Sequence, residues 1–463
     1  MKLFFETYFL KKSGWKKLFL PAVLILCLST CRQDQRIESP DRVEAFRVAL
    51  QWNETLLKLN RFSEGYRPPV SAQLFAYAGI AAWESALPGL PEIRSCSEEF
   101  SGLELPEWDT EKQQTFILPA ALNAAYAVVA RRFFPHAPLF MKEHCRRNIS
   151  EIESDLYDKY PQEAIAASKQ FGEAVAEAVY EWAAGDSIGH QAYLYNYDRN
   201  YQPPQGNGYW KPSVFEPLPA LLPKWGKART FVVGTDQVKI TPPLKFSENP
   251  GSPFFAQALE VYSLSRPLTK ENHWIAEFWS DDVPGLTFSA SARWIAISNQ
   301  ALDNTRPGIV TSLETWLKVG LALNDSAVKT WEGKYTFVVE RPEQYIRRNI
   351  HSNWEPLHHS PPFPSYPSGH SAFGGAASTV LSAILGDDFF IEDHCHEERK
   401  EFQGKPRYFY SFSEMADENA FSRLLLGVHF RMDCEEGLRV GRQVGKKVAD
   451  LELIRKKGLV SRN

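Results

Sequence analysis

The sequence has few cysteines, little net charge and no repeats, so it lacks the features that mark a protein as other than an ordinary globular one. It has 4 methionines and 6 cysteines in 463 residues, and its formal net charge is only −4. After the N-terminal segment it has no run of apolar residues long enough to cross a membrane, which excludes a protein with several membrane spans. No internal repeat or low-complexity tract is present. The composition, 44% hydrophobic and 23% charged, is typical of a globular chain with a large core.

The N-terminal thirty residues have the pattern of a secretory signal. Four lysines between residues 11 and 17 precede the apolar run Leu18–Leu28, and Cys31 follows almost directly, as in a bacterial lipobox. We therefore expect cleavage after residue 30 and a lipid on Cys31, which would be the first mature residue. The protein would then be an exported cell-envelope lipoprotein, periplasmic or on the outer-membrane surface, that meets the membrane only through its lipid. A simple signal peptide or an uncleaved anchor is the alternative.

Removal of residues 1–30 takes away five lysines and one glutamate and leaves a formal charge of −8. An acidic body argues against nucleic acid as a partner. It also means that any anion site must be a local cluster of basic residues that works against the field of the whole protein.

Four cysteines remain in the expected mature chain: Cys96, Cys145, Cys395 and Cys434. In an oxidising compartment they could form two disulfides, with three possible connectivities. Because each pair would lie within one region of the chain, we favour Cys96 with Cys145 and Cys395 with Cys434.

Helix signals are many and strand signals are sparse, so the predicted fold class is all-α. Helices are predicted from Pro40 to about Asn60, from Val70 to Leu87, from Lys112 to Phe134 and from Gln162 to Gly185. Ten prolines then punctuate residues 198–256, and a connection of that length is usually functional or a linker. The predicted organisation is an N-terminal helical bundle (31–197), this Pro-rich connection (198–256) and a C-terminal helical domain (257–463).

Three separated segments carry residues suited to binding an oxyanion: 334–342, 367–370 and 422–433. A tetrahedral oxyanion needs cations to neutralise it, forked donors for its oxygens and groups on its axial positions. The three segments together supply these groups in the form of Lys334, Arg341, Arg423, Ser368, Gly369, His370 and His429. We therefore predict that they converge on one pocket, although about ninety residues separate the outermost two.

Two local patterns add to this prediction. Ser368, Gly369 and His370 run into a stretch of small apolar residues, which predicts a buried helix whose N-terminal amides face the anion. Asp433 follows His429 by four residues, so the two would share a helix face. A carboxylate there could accept the ring N–H of His429 and leave the other ring nitrogen for the oxyanion.

Taken together, Lys-x6-Arg-Pro, Pro-Ser-Gly-His and Ser-Arg-x5-His-x3-Asp resemble the three-part signature of the superfamily that joins type 2 acid phosphatases (PAP2) to vanadium haloperoxidases. The flanking stretches 361–376 and 418–433, and the "EFWSDD" stretch at 277–282, resemble those of vanadium chloroperoxidases. The resemblance covers about residues 270–450. It implies two helical bundles in one chain, a site in the C-terminal one and vanadate as the cofactor.

The resemblance also assigns roles residue by residue. His429 would bind vanadium or, in a phosphatase, become phosphorylated, and His370 would be the general acid–base. Asp282 would be the acid that supports Arg423, and Trp331 and Phe363 would lie on the halide side. The oxygens would be held by Lys334, Arg341, Ser368, Gly369 and Arg423, and the groups that carry the catalysis would be His370, His429, Asp433 and Arg423.

The first functional hypothesis is a vanadium-dependent haloperoxidase that oxidises halide with hydrogen peroxide. The alternative is a periplasmic phosphatase that hydrolyses phosphate esters through a phosphohistidine. The length of the chain favours the peroxidase. A catalytically silent lipoprotein is disfavoured because no residue of the signature is missing. The sequence does not determine the oligomeric state. Two other histidine-bearing stretches are expected to be loops. For residues 358–359 a supporting role beside the site is the alternative to a plain loop, and for the exposed acidic loop at 392–398 the alternative is a zinc site, whose usual ligand spacing is absent.

Overall fold

The computed structural model describes residues 38–109, 115–234, 236–283, 285–397 and 399–455, and their regular structure is almost all helical. The predicted signal segment and Cys31 lie outside these residues. The helices are α1 Pro40–Phe62, α2 Pro68–Ala86, α3 Leu118–Phe133, α4 Leu139–Tyr157, α5 Gln162–Ala184, α6 Pro253–Leu264, α7 Lys270–Phe278, α8 Ala292–Thr305, α9 Ile309–Phe337, α10 Pro342–Asn349, α11 Gly369–Leu385, α12 Phe412–Leu425 and α13 Arg431–Ala449. The described strands form two antiparallel pairs, β1 Tyr197–Asp198 with β2 Ala220–Leu221 and β3 Ile391–Asp393 with β4 Arg407–Phe409. The all-α prediction is confirmed.

Local sequence accounts for where several helices begin. Ser252, Thr269 and Ser411 precede α6, α7 and α12, and each hydroxyl accepts a hydrogen bond from the amide three residues further on. The helices predicted from Pro40, Val70 and Gln162 are found as α1, α2 and α5. No helix among the described residues has both the length and the apolar composition of a membrane span.

The long helix α9 lies in the core and packs against α2, whose 19 residues are all buried. The two helices approach closely because each has a glycine where they meet. A Cβ on Gly79 would lie 2.7 Å from the Leu317 Cα, and one on Gly320 would lie 2.6 Å from the Phe75 carbonyl oxygen. Helices from both halves of the sequence therefore share one core, and the division into two bundles at residues 198–256 stays a prediction.

A second close pair, α11 and α13, brings two of the three segments together. Gly437, Gly441 and Gly445 are spaced four apart on the face of α13 that meets α11. A Cβ on Gly441 would lie 2.1 Å from the carbonyl oxygen of Ala372, so no larger residue fits without moving the helices apart. Since His370 lies at the start of α11, this contact sets the position of its ring relative to α13.

The Pro-rich connection is largely irregular, but hydrogen bonds attach it to α9. Asp325 accepts the amides of residues 231, 232 and 233, each at 2.8 Å. The Leu221 carbonyl accepts the hydroxyl of Tyr335 at 2.6 Å, while the Leu221 amide donates to the Pro362 carbonyl at 2.8 Å. The connection is therefore attached both to α9 and to the loop before α11, and it forms one side of the site.

The predicted disulfides are wrong, because Cys96, Cys145, Cys395 and Cys434 are free thiols. The fold gives these thiols other partners. The Gln300 amide donates to the Cys395 sulfur at 3.2 Å, whereas Cys434 is buried in α13. Burial raises the pKa of the Cys434 thiol to about 12.

Candidate active site

The three segments predicted to bind an oxyanion meet at the ends of five helices. Lys334 lies in the last turn of α9, and Arg341 directly precedes α10. Ser368 precedes α11, and Arg423 lies in the last turn of α12. His429 lies in the short connection between α12 and α13. The structure thus brings the predicted groups together, and a long-range contact shows it directly: Arg341 Nη1 lies 3.1 Å from His429 Nε2.

The ring of His429 is held by a carboxylate. Its Nδ1 lies 3.0 Å from Asp433 Oδ2, which also accepts the Phe430 amide at 3.0 Å and the Ser365 hydroxyl at 2.5 Å. A carboxylate partner places the proton on Nδ1, so Nε2 carries the lone pair. The pairing was predicted but the reason was wrong: α13 begins after His429, and Asp433 reaches back to the ring from the first turn of that helix.

Both site histidines are neutral near pH 7. Burial lowers the pKa of His429 well below its ordinary value, and the charges of Arg341 and Lys334 lower it further. Burial and then the charge of Arg423 lower the pKa of His370 in the same way. The pKa of Asp433 shifts in the opposite direction, because burial raises it to about 6.

The prediction that Ser368–His370 caps a helix is confirmed. Ser368 is the N-cap of α11, and its hydroxyl accepts the Ser371 amide. The ring of His370 therefore projects from the first turn. Its Nε2 atom is buried without a hydrogen-bond partner in the structure.

The ammonium of Lys334 is buried and donates to three carbonyl oxygens of the loop before α11. These belong to Pro364 at 2.9 Å, Ser365 at 3.0 Å and Pro367 at 2.6 Å. Burial and the neighbouring charge of Arg341 lower its pKa well below the ordinary value. Lys334 therefore fixes the loop in addition to placing a charge near the histidines.

The two arginines are also buried, and burial lowers the pKa of each to about 10. Arg341 donates to the carbonyls of Phe363 at 3.0 Å and Val428 at 2.7 Å, and its Nη2 has no partner in the structure. Arg423 donates to the Ser422 hydroxyl and the Trp279 carbonyl. Burial removes water from these cations. An anion bound between them would supply favourable interactions in place of that water.

The histidines open into a cavity of about 540 Å³, here called the histidine cavity. Its wall includes His370, His429, Arg423, Gly369 and the two predicted aromatic residues, Trp331 and Phe363. The rings of Trp331 and Phe363 lie 5.1 Å apart, with the ammonium of Lys334 5.0 Å from the centre of the Phe363 ring. Lys334, Arg341 and Ser368 lie behind this wall.

The prediction for Asp282 is wrong. Its carboxylate pairs with Arg67 at 3.1 Å, whereas the charge that acts on Arg423 belongs to the preceding residue, Asp281. Asp282 has a positive φ of 74°, and this backbone conformation turns the two neighbouring acids to different partners. The sequence "SDD" contains no signal that could distinguish them.

Asp281 belongs to a buried ionic cluster that sequence reasoning missed. The guanidinium of Arg293 lies 3.7 Å from Asp281 and 3.0 Å from Asp393, and all three side chains are fully buried. His396 is also buried against Arg293, so residues 392–397 are not simply the exposed loop expected from their charge. Among the described residues no group of three or more His, Cys, Asp or Glu side chains could hold a metal ion.

His358 was predicted to belong to a plain loop, but it lines the histidine cavity. Its ring is half-buried and its Nε2 lies 3.4 Å from the Ser280 hydroxyl. Burial and then the charge of Arg423 lower its pKa to about 4. Ser365 was also missed, because its partner Asp433 lies far away in the sequence.

Comparison with known proteins finds a matching family model and several similar sequences. Residues 314–455 match the family model described as the VCPO second helical-bundle domain. The vanadium-dependent bromoperoxidase of Ascophyllum nodosum is 34% identical over 104 residues, which cover 20% of this chain and 19% of that protein. The vanadium chloroperoxidase of Curvularia inaequalis is 24% identical over 225 residues, covering 36% of this chain and 37% of that protein. The matches to these curated relatives thus span well under half of their length.

A solved structure extends the similarity to nearly the whole chain. The crystal structure of a bacterial vanadium-dependent iodoperoxidase superposes with a TM-score of 0.75 at 28% sequence identity, covering 89% of this chain and 97% of that one. The relatives and this neighbour all carry names of vanadium-dependent peroxidases. These similarities support the placement of the chain in the vanadium haloperoxidase/PAP2-like superfamily.

Proposed function

We propose that this protein is a vanadium-dependent haloperoxidase that oxidises halide with hydrogen peroxide at a vanadate held by His429. The proposal is supported by the haloperoxidase relatives and by the iodoperoxidase structure with the same fold. Hydrogen peroxide and halide would be its substrates.

One observation carries the proposal. Two polar atoms at the centre of the site, Arg341 Nη2 and His370 Nε2, are buried without a hydrogen-bond partner in the structure. Leaving such groups unpaired costs roughly 1–3 kcal/mol each, and more for a charged one. Three buried cations surround them. Such a donor set fits a compact, multiply charged oxyanion, which is the chemical character of vanadate.

The position of each residue in the site indicates its role toward the vanadate. The lone pair on His429 Nε2 would bind the metal, while Asp433 keeps the proton on Nδ1. Arg341, Arg423, Lys334 and the α11 N-terminus would hold the oxygens. When bound, vanadate supplies a Lewis acid that polarises peroxide toward attack by halide.

His370 is suited to move the proton. Its low pKa keeps the ring neutral, so it can take a proton from hydrogen peroxide as that molecule enters the cavity. The resulting imidazolium can then return the proton to the departing oxygen. Trp331 and Phe363 line the same cavity, where they would limit the access of water.

The test compares wild type with His429→Ala in two assays, with His273→Ala as the control for an exposed histidine. The metal-free protein is assayed for halide oxidation by peroxide, with and without added vanadate. We expect vanadate-dependent oxidation in the wild type and in His273→Ala, and its loss in His429→Ala, where the cations persist but the ligand to the metal is gone.

The same experiment decides between the two candidate activities, that of a haloperoxidase and that of a phosphatase. A phosphatase would hydrolyse phosphate esters, would be inhibited by vanadate and would form a phosphohistidine at His429 that can be trapped. If the wild type behaved in this way and did not oxidise halide, the haloperoxidase proposal would be refuted.

We also propose that the protein is exported and anchored to the cell envelope through a lipid on Cys31. The support is the sequence pattern of residues 11–31 alone. Labelling of expressing cells with a radioactive fatty acid tests this, because the label is expected on the wild type and not on Cys31→Ser.

A further inference from the structure

A second cavity adjoins the histidine cavity. It also has a volume of about 540 Å³ and is lined by parts of three segments, 60–67, 193–199 and 282–289. The two cavities share four lining residues: Arg67, Tyr197, Asp282 and Val283. The second space, here called the tyrosine cavity, therefore meets the histidine cavity at the ion pair between Arg67 and Asp282.

One wall of the tyrosine cavity is aromatic and preformed. The rings of Tyr66 and Tyr193 stack 5.2 Å apart with an interplanar angle of 9°. Tyr66 is buried and donates its hydroxyl to the Phe133 carbonyl, so its ring is fixed in place. Tyr195 and Tyr197 are exposed in the same lining. Such faces favour an aromatic guest, because offset stacking of rings adds to the gain from burying apolar area.

The cavity also favours an anion. Its lining contains three arginines, Arg61, Arg67 and Arg199, against two acids, Glu64 and Asp282, although the chain as a whole is acidic. Arg67 Nη2 pairs with Asp282 Oδ2 at 3.1 Å, and Arg67 Nε is buried with no partner in the structure. A planar guanidinium with an unused donor is the group that binds carboxylates through two parallel hydrogen bonds.

We propose that the tyrosine cavity binds an aromatic organic anion, a phenol that carries a carboxylate, as the acceptor of the oxidised halogen. Arg67 holds the carboxylate in competition with Asp282, and the tyrosine wall stacks on the ring. The volume is within the range of ordinary small-molecule sites. The acceptor role rests on the proposed haloperoxidase function, whereas the binding does not.

The transfer step balances without a further reactant. Hypohalous acid from the histidine cavity supplies the electrophilic halogen. An electron pair of the phenol ring forms the carbon–halogen bond as the oxygen–halogen bond breaks. The ring then loses a proton, which combines with the hydroxide to form water. The ring carbon is oxidised and the halogen is reduced.

The binding is tested on the full protein without vanadate or peroxide, by calorimetric titration with 4-hydroxybenzoate. Removal of the carboxylate anchor in Arg67→Met is expected to weaken binding at least tenfold, and Arg67→Lys to weaken it less. Asp282→Asn removes the competitor of the ligand and is expected to tighten binding, which a misfolded variant would not do. Arg306 and Asp303, an exposed pair also 3.1 Å apart, provide the matched controls Arg306→Met and Asp303→Asn.

The acceptor role is tested by competition during turnover. Free hypohalous acid prefers phenol to 4-hydroxybenzoate, because a carboxyl group withdraws electrons from the ring. Binding in the cavity is expected to reverse this preference in the wild type, and Arg67→Met is expected to restore the preference for phenol. A preference for phenol in the wild type would overturn the acceptor role.

The two proposals can fail separately. If the protein oxidised no halide but bound 4-hydroxybenzoate through Arg67, the haloperoxidase function would fail and the binding site would stand. If it oxidised halide but did not bind 4-hydroxybenzoate, or if Arg67→Met bound it as the wild type does, the cavity assignment would be wrong.

Discussion

Gly441→Ala tests how much of the site depends on the contact between α11 and α13. The added Cβ would lie 2.1 Å from the Ala372 carbonyl oxygen, whereas ordinary contacts begin at 3.4 Å. The helices must therefore separate locally by about 1.3 Å. Overpacking of this kind costs about 1–3 kcal/mol. Since the obstacle is backbone and cannot rotate away, we expect the upper end of that range, reduced by roughly 1 kcal/mol of helix propensity gained by alanine.

The displacement would also reach the catalytic groups. His370 lies two residues before Ala372 on α11, while Asp433 lies on α13, so separating the helices moves one histidine relative to the carboxylate that orients the other. A misplacement of about 1 Å can cost roughly 100-fold in rate. We expect a loss of kcat for halide oxidation of about that size, together with a loss of about 2 kcal/mol in the free energy of unfolding.

The assays are urea unfolding followed by circular dichroism and steady-state oxidation of halide with saturating vanadate. Gly374→Ala is the matched control, because it lies on α11 itself but its Cβ would lie 3.2 Å from the Trp294 ring and 3.4 Å from the Ala416 Cβ, so a shift of a few tenths of an ångström relieves the contact. The control is expected to keep its stability and its rate. If Gly441→Ala were as stable and as active as Gly374→Ala, the argument that this helix contact positions the site would be wrong.

Three further predictions concern buried polar groups. Ser365→Ala removes a hydrogen bond to the Asp433 carboxylate. It is expected to lower the free energy of unfolding in urea by about 1.5–3 kcal/mol and to lower kcat. The control is Ser360→Ala, which should change neither quantity because the buried Ser360 hydroxyl has no partner in the structure. His358 has a pKa lowered to about 4, so the unfolded chain takes up a proton below pH 6.5 that the folded one does not, and stability falls as the pH drops from 6.5 toward 4. His358→Gln is expected to remove up to about 3 kcal/mol of this acid-induced loss, and an unchanged difference between unfolding at pH 7 and pH 4.5 would contradict the reasoning. Arg293→Met leaves two buried carboxylates without their cation and is expected to cost about 3–5 kcal/mol, measured by urea unfolding; a smaller loss than that of an exposed arginine such as Arg306→Met would refute the role of the cluster.

What could be predicted from the sequence depended on the range of the interaction. The cap at Ser368 was predicted correctly because a hydroxyl and an amide three residues further on form it locally. The pairing of His429 with Asp433 was also predicted, although its geometry was not. The helical boundaries of α1, α2 and α5 followed from apolar periodicity and from proline and glycine at their ends.

The prediction failed where the local sequence offered two equivalent candidates for one contact. Asp281 and Asp282 are adjacent and chemically identical, and the positive φ of Asp282 that separates their directions leaves no trace in the residue types. The disulfide pairs failed for a similar reason, since nearness along the chain does not bring two sulfur atoms within bonding distance. The preferred interpretation of His358 as a plain loop residue failed because the cavity that it lines is completed by segments far away in the sequence, such as the one that carries Arg423.

The sequence by itself determined the helical class, the set of groups able to hold an oxyanion and the family that uses them, because these depend on residue types at fixed short spacings. Only the tertiary structure decided which carboxylate serves which arginine, that Ser365 supports Asp433, and that a second cavity meets the first at Arg67. Those contacts join residues that lie from tens to more than two hundred positions apart. Their partners are selected by how whole helices pack, and that packing is a property of the complete chain rather than of any one segment.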